Sequence, residues 1–198
     1  MAVNLTRIYT RTGDAGETRL GDMSKTTKTD PRLVAYGEVD EANSSIGVAI
    51  AGGYLNSSLV VLLTRIQNDL FDVGADLCNP ITPDPEYPPL RITQDYIDRL
   101  EGWCDEYNSR LTKLRSFILP GGTPGAAYLN VARTVTRRAE RAGWAAVEAH
   151  GPSVNLLALT YLNRLSDLLF ILGRVANLSS GGDVLWVPGG DRDKQQQQ

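Results

Sequence analysis

Residues 156–175 restrict the fold more than any other stretch. They carry Leu156, Leu157, Leu159, Leu162, Leu165, Leu168, Leu169, Ile171, Leu172 and Val175, more apolar side chains than one face of a helix can hold. A helix of this kind is stable in water only when other elements cover most of its sides. Its polar residues are therefore informative: Asn163, Asp167 and Arg174 recur at i, i+4 and i+11 as a narrow stripe. Polar groups buried in such a rod need partners.

The chain before it reads as four more helices. One starts at Asp30-Pro31, places Val34, Val39, Ala42, Ile46 and Ile50 inward, and stops at Gly52-Gly53. A second begins near Asn56 or Ser57 with a core stripe of Leu59, Leu62, Leu63, Ile66, Leu70, Val73 and Leu77, and aligns Asp69, Asp72 and Asp76 on an adjoining face. Five prolines between residues 79 and 92 exclude helix there and predict a long surface connection, to which no chemistry is assigned. A third helix follows Thr93 as N-cap, with Ile97, Leu100, Cys104 and Leu111 inside. After the broken apolar run Ser116-Phe117-Ile118-Leu119-Pro120-Gly121-Gly122, Thr123 and Pro124 suit the N-cap and first position of a fourth helix. That helix runs to His150-Gly151-Pro152, and Ser153 or Asn155 opens the fifth. No strand alternation persists beyond a few residues, so the expected class is all-α, a five-helix bundle behind an ordered N-terminal loop. The expected organisation is a single domain over 1–190, with a loop at 7–29, a bundle at about 31–178 and a flexible tail at 191–198. Apolar content ends at Trp186-Val187, and the stretch from residue 181 onward reads as a flexible end.

Charge and cysteines narrow the function classes. The balance of 20 basic against 23 acidic side chains excludes a general nucleic-acid role. Cys78 and Cys104 lie in apolar helical surroundings, which fits reduced core thiols rather than a disulfide or metal pair. The start lacks an apolar signal region and no run is read as a membrane span, so a cytoplasmic protein without membrane partners is expected.

Against this slightly acidic background, Arg133-Thr134-Val135-Thr136-Arg137-Arg138-Ala139-Glu140-Arg141 is a local concentration of positive charge. On a helix, Arg133, Arg137, Glu140 and Arg141 share a face, with Val131, Val135, Ala142 and Ala146 opposite. Guanidiniums one turn apart repel unless an anion or facing carboxylates lie between them. Arginine also suits bidentate contact with phosphate. The alternative for this face is plain solvation. The N-terminal stretch Tyr9-Thr10-Arg11-Thr12-Gly13-Asp14-Ala15-Gly16-Glu17-Thr18-Arg19 is rich in the Gly, Thr and Arg from which phosphate-cradling nests are made, yet contains no Walker pattern. By itself it reads more readily as a plain surface hairpin. Asp40, Glu41 and Asn43 form an acidic, polar patch on the first helix that is available to balance the arginines.

Taken in order, Tyr9-Thr10-Arg11-Thr12-Gly13-Asp14-Ala15-Gly16, Tyr36-Gly37-Glu38-Val39-Asp40-Glu41-Ala42-Asn43-Ser44, Phe117-Ile118-Leu119-Pro120-Gly121-Gly122, Arg137-Arg138-Ala139-Glu140-Arg141 and Leu162-Asn163-Arg164-Leu165-Ser166-Asp167 resemble the PduO-type ATP:cob(I)alamin adenosyltransferases over residues 7–178. The resemblance implies a five-helix bundle assembled as a homotrimer with active sites between subunits. It implies transfer of the 5′-deoxyadenosyl group of ATP to cob(I)alamin, with release of triphosphate and with Mg²⁺ as cofactor. By the same resemblance, ATP is held by Thr10, Arg11, Thr12, Gly13, Thr18, Arg19 and Lys28, by Arg137, Arg138, Glu140 and Arg141, and by Asn163. Asp40 is expected to form an intersubunit salt bridge with Arg133 beside the corrinoid, and Phe117 to help displace the lower axial ligand of cob(II)alamin before its reduction. No residue is expected to ligate a metal. Ala15 and Arg11 stand where relatives often carry lysines, a departure that alters the triphosphate grip slightly. A cob(II)alamin reductase and an adenosylcobalamin-dependent enzyme such as a mutase are the implied partners.

Two other readings compete with this one. A ferritin-like di-metal bundle needs Glu-x-x-His ligands on facing helices, and the chain has one histidine. A non-catalytic carrier or sensor of nucleotide and cobalamin, handing the cofactor to a mutase, is the alternative from a different class.

Overall fold

The computed structural model describes residues 9, 11–85 and 87–189. The elements in order are β1 (Glu17–Arg19), β2 (Lys25–Thr27), α1 (Pro31–Gly52), α2 (Ser57–Cys78), α3 (Gln94–Asn108), α4 (Pro124–His150) and α5 (Leu156–Asn177), with single 3₁₀ turns after α4 and α5. The architecture is a five-helix bundle with one small antiparallel hairpin, in which Thr18 faces Thr26.

The helix starts obey the capping signals in the sequence. Asp30 accepts from the Arg32 N–H, Asn56 from Leu59, Thr123 from Ala126 and Asn155 from Leu157, each supplying a partner to an otherwise orphaned first-turn donor. Thr93 occupies the N-cap of α3 without a side-chain bond. Gly151 closes α4 at a φ of 56°, a backbone state glycine adopts without steric cost.

The packing of α1 on α4 is set by alanine. Ala35, Ala42 and Ala49 on α1 and Ala132, Ala139 and Ala146 on α4 recur every seventh residue and are fully buried. That spacing keeps a small-residue seam facing its partner along the whole helix pair. At one end a Cβ on Gly53 would lie 2.9 Å from the Cα of Gly125. At the other, His150 Nε2 lies 2.8 Å from Asp30 Oδ1. The two helices are therefore antiparallel in a fixed register, and α4 is a rigid platform for its arginines. Val131, expected inside, is 54% exposed. The inward face consists of Leu129, Ala132, Val135, Thr136 and Ala139.

Helix α5 fills the centre with Leu162, Leu165, Leu168, Leu169 and Leu172 fully buried. It is long and apolar enough to cross a membrane by length and composition, contrary to the sequence reading, but is the core rod of this bundle. Of its polar stripe, Arg174 is buried and Asn163 half-buried, whereas Asp167 is exposed and lies 3.5 Å from Arg164.

The acids of α2 are absorbed by the fold. Asp69 accepts from Arg99 Nη2 at 3.0 Å and from the Tyr161 hydroxyl at 3.2 Å, and Asp72 accepts from the Tyr96 hydroxyl. Asp76 takes Arg91 Nη1 at 2.6 Å, the Ile92 N–H at 2.7 Å and Asn155 Nδ2 at 2.6 Å. These bonds anchor the end of the proline-rich connection to α2 and α5. Arg91 also donates to the carbonyls of Asn79 and Pro80.

Two segments depart from expectation. The N-terminal loop contains the β1–β2 hairpin, joined to α2 by the Gly21 N–H donating to the Cys78 carbonyl at 3.0 Å. Residues 181–186, read as loose, are tied down: the Leu119 N–H donates to the Val184 carbonyl at 2.8 Å and the Trp186 N–H to the Phe117 carbonyl at 2.7 Å. The proposed tail 191–198 and Thr10 lie outside the described residues.

Candidate active site

The arginines of α4 are in three different situations. Arg138 donates to Glu38 Oε2 and Glu41 Oε2 of α1, and its guanidinium is held above its ordinary pKa by its hydrogen bonds to Glu41 and Glu38. Arg133 is half-buried with its Nε lacking any hydrogen-bond partner, and burial followed by the nearby Arg137 charge lowers its pKa. Arg137 and Arg141 are exposed, and among the described residues neither has a carboxylate partner. Glu140 is not a counter-ion to them within hydrogen-bond reach; it accepts from Asn163 Nδ2 of α5 at 3.0 Å.

Arg133 stands on the wall between two clefts. One, of about 560 Å³, carries the charged side chains of Arg133, Arg137, Lys113 and Asp167 beside apolar residues such as Phe170. The other, of about 680 Å³, is apolar and is lined by Leu114, Phe117, Ile118, Arg133, Phe170 and Trp186. The Arg133 guanidinium carbon lies 6.0 Å from the Phe170 ring centroid, so it borders both clefts against an aromatic face. Phe117 is 78% exposed on the lip of the apolar cleft, an unusual position for a phenylalanine, and is left largely uncovered by the described residues. Its one aromatic neighbour is Trp186, edge-on at 6.1 Å. Phe170 and Trp186 were not singled out from sequence: the first is hidden in a run of apolar residues, the second in a stretch taken for a loose end.

A third cleft, of about 510 Å³, belongs to the hairpin and is lined by Thr12, Gly13, Glu17, Thr18, Arg19 and Lys25. Lys28 joins it: a Cβ built on Gly13 would meet Lys28 Nζ at 3.1 Å. Arg19 Nη1 donates to the Met23 carbonyl and Arg11 lies 5.6 Å over the Tyr9 ring. Gly16, at a φ of 83°, donates its N–H to the Gly13 carbonyl and accepts from the Lys28 N–H. The predicted loop residues Thr12, Gly13, Thr18, Arg19 and Lys28 are thus brought together.

The single chain does not bring the hairpin to Phe117. Thr26 Oγ1 donates to Asp30, which also contacts His150, so the hairpin sits at the His150 end of α4. Arg133 is 17 residues from His150, roughly 25 Å along a helix. Nor does it join Asp40 to Arg133. The α1–α4 register puts Arg133 level with about residue 46 of α1, so exposed Asp40 lies roughly 9 Å away along the axis. Asp40 has no ion pair among the described residues.

Fold and clefts define a helical-bundle protein that sets a basic cleft against an apolar one across a shared arginine. Comparison with known proteins gives the family. The family model of cobalamin adenosyltransferase matches residues 8–176. The corrinoid adenosyltransferase of Mycobacterium bovis is 65% identical over 192 residues, 97% of this chain and 98% of the relative. The cobalamin adenosyltransferase of Cupriavidus metallidurans is 47% identical over 189 residues, 94% and 97% of the two chains. Among solved structures, a phenylalanine-to-alanine variant of the PduO-type ATP:corrinoid adenosyltransferase from Lactobacillus reuteri, complexed with cobalamin and ATP, is similar with a TM-score of 0.83 and 39% identity, covering 92% of this chain and 100% of that one. The chain belongs to the cobalamin adenosyltransferase family.

Proposed function

We propose that this protein transfers the 5′-deoxyadenosyl group of ATP to cob(I)alamin and releases inorganic triphosphate. Family membership supplies the reaction class. The observation that carries the reading into this chain is Arg133, a half-buried guanidinium with an unpartnered Nε on the wall between a basic cleft and an apolar one. Cobalt(I) attacks the 5′ carbon of ATP; a cobalt–carbon bond forms, and the carbon–oxygen bond breaks with its electron pair leaving on the triphosphate. The protein supplies neither nucleophile nor base. Its work is to orient the reactants and to stabilise the charge that grows on the leaving group.

Arg137 and Arg141, without a carboxylate partner among the described residues, take the triphosphate together with Arg11, Thr12, Gly13, Thr18, Arg19 and Lys28 around the hairpin, and with Thr10 by the family resemblance. Arg138 acts indirectly, fixing α4 to α1 through Glu38 and Glu41, and Asn163 acts with Glu140 as a linked pair beside the basic face. Among the described residues no three His, Cys, Asp or Glu side chains converge on a metal position. Mg²⁺ would then arrive on the triphosphate, its usual mode, with Glu17 the one carboxylate lining the hairpin cleft. When bound, it would neutralise part of the phosphate charge.

The apolar cleft takes the corrinoid, with Phe117 on its lip placed to exclude the lower axial ligand so that cob(II)alamin is more readily reduced. The sole histidine, His150, is engaged with Asp30 near the other end of α4 and does not compete for cobalt. The separation of hairpin and Phe117 within one chain supports a site completed by a second copy, hence a homotrimer with sites between subunits. In that assembly Asp40 of one copy meets Arg133 of the next, which gives both unpaired groups a partner. Free, half-buried Cys78 and Cys104 fit the reducing cytoplasm, and Cys104 is pushed up to about 11 by burial first and the Asp167 charge second. A reductase supplies cobalt in its reduced state, and an adenosylcobalamin-dependent enzyme such as a mutase receives the product.

Mixing the protein with ATP, Mg²⁺ and chemically reduced cobalamin tests the activity. Growth of the cobalt–carbon absorption spectrum is the expected result. Saturable binding of both ligands with an unchanged spectrum would make the protein a carrier.

A further inference from the structure

The loop that presents Phe117 is held by little of its own. Between α3 and α4 it forms no helix, and among the described residues its backbone hydrogen bonds over 116–119 run to residues 184–186 alone. The Leu119 N–H donates to the Val184 carbonyl, the Trp186 N–H donates to the Phe117 carbonyl, Ile118 bridges Leu185, and Ser116 Oγ donates to the Trp186 carbonyl at 3.0 Å. Trp186 then packs edge-on against the Phe117 ring. The C-terminal segment is therefore a strap across the lip of the apolar cleft.

The strap is fixed by one carboxylate. Arg174 Nε donates to Asp183 Oδ2 at 2.7 Å, with the two side chains only 6% and 11% exposed. Asn177 Nδ2 reaches Asp183 Oδ1 at 3.4 Å. The same two α5 side chains clamp both ends of the Phe117 loop: Arg174 Nη2 donates to the Thr112 carbonyl at 2.9 Å, and Asn177 donates to the Gly121 carbonyl and accepts from the Thr123 N–H. Gly122 shows how closely the junction is fitted, since a Cβ there would fall 2.2 Å from Asn177 Oδ1. Glycines at 181 and 182, with φ of 90° and 88°, turn the chain back so that Asp183 meets α5.

We propose that Asp183 is a positioning residue for the adenosyl transfer: through Arg174 and Asn177 it sets the strap, and through the strap it sets the height of Phe117 over the corrinoid. This inference rests on the corrinoid reading of the apolar cleft. Asp183 touches no reactant; it acts through Phe117. A short acid-to-guanidinium contact of low exposure is a firm anchor, and small displacements of a positioned group are costly to rate.

The test is a double-mutant cycle in the full chain. Asp183→Ala is expected to lower turnover roughly 10- to 100-fold while the KM for ATP stays within about threefold, because the hairpin and α4 arginines are untouched. Bound cob(II)alamin should show a matching loss of the species lacking its lower ligand, read by electron paramagnetic resonance. In a Phe117→Ala background the same change should cost almost nothing further, since the group it positions is gone. Asp183→Asn, which keeps one acceptor oxygen for Arg174 Nε but turns an NH₂ toward Asn177, should recover part of the rate, and thermal melts separate these effects from unfolding. Multiplicative losses in the double variant, or an unchanged cob(II)alamin spectrum in folded Asp183→Ala, would overturn the proposal. A wild-type protein that fails to convert cobalamin at all would instead overturn the corrinoid reading beneath it.

Discussion

Two stripes of like charge, one on α2 and one on α4, meet opposite fates in this chain. On α2, Asp69, Asp72 and Asp76 are all engaged by partners from α3, α5 and the proline-rich connection. On α4, only Arg138 is neutralised, while Arg133 keeps a buried unpartnered Nε and Arg137 and Arg141 have no ion pair among the described residues. Burying a charged group without partners is unfavourable, so a fold spends such positions where a ligand or another subunit will supply the partner. The acids hold the bundle together; the arginines are left for something else. Composition does not distinguish the two stripes, since each is a set of like charges at helical spacing.

Substitutions on the two stripes should therefore fail in different ways. The largest effect is on activity: Arg133→Ala and Phe117→Ala are each expected to cut turnover by roughly 10²-fold or more. Phe117→Ala should leave ATP affinity nearly intact, and steady-state kinetics with ATP and cobalamin varied in turn checks this; equal losses in both would sink its corrinoid role. Unchanged turnover, corrinoid affinity and oligomeric state in Arg133→Ala would remove that residue from the site. Next comes stability. Asp76→Ala leaves Arg91, Asn155 and the Ile92 N–H without their common acceptor, at a cost of about 3–5 kcal/mol, and should lower the melting temperature by roughly 10 °C while the folded protein stays active. A variant as stable as wild type would show that the acids are not the fold's anchor.

Smaller effects sharpen the comparison. Burial opposes the charge on Asp30, but hydrogen bonds from Thr26, the Arg32 N–H and His150 outweigh it and hold the carboxyl below its ordinary value of 3.8. A depressed carboxylate stabilises the fold at any pH above its unfolded pKa and loses that contribution as pH falls through the lower, folded one. Acid unfolding of Asp30→Asn should therefore be less steep below about pH 4 than that of wild type, measured by circular dichroism. Smallest is Arg138→Ala, which should change the KM for ATP by no more than about twofold, as expected of an exposed ion pair rather than a phosphate ligand.

Much of the bundle was legible because its signals are local. Asp30-Pro31, Asn56, Thr123-Pro124 and Asn155 cap the helices they were expected to cap, through bonds spanning two or three residues. The β1–β2 hairpin was open as a reading of the glycine loop but could not be placed, because strands of three polar residues leave no alternation to count. The strap at 181–186 escaped for a different reason: its backbone bonds run to residues about seventy positions away, and the Asp183 contacts to Arg174 and Asn177 depend on a turn at Gly181-Gly182 that periodicity does not reveal. At the site, the arginine cluster and the glycine loop were visible as residue types, but which arginine is engaged was not. Arg137 and Arg138 are neighbours in sequence, and only the α1–α4 register decides that Glu38 and Glu41 reach the second and not the first. The resemblance implies an Asp40–Arg133 bridge between subunits, and one chain keeps the two apart, so a pairing of this kind is not something helical periodicity can encode.

Arg137 and Arg141 of α4 are proposed to hold the leaving triphosphate. Single-turnover stopped-flow with chemically reduced cobalamin and saturating ATP, comparing wild type with Arg137→Ala, tests it most directly. The predicted result is one triphosphate released for each cobalt–carbon bond formed in wild type, with the same stoichiometry but a rate lower by roughly 10²-fold in the variant. A variant that matches the wild-type rate at saturating ATP would contradict the claim.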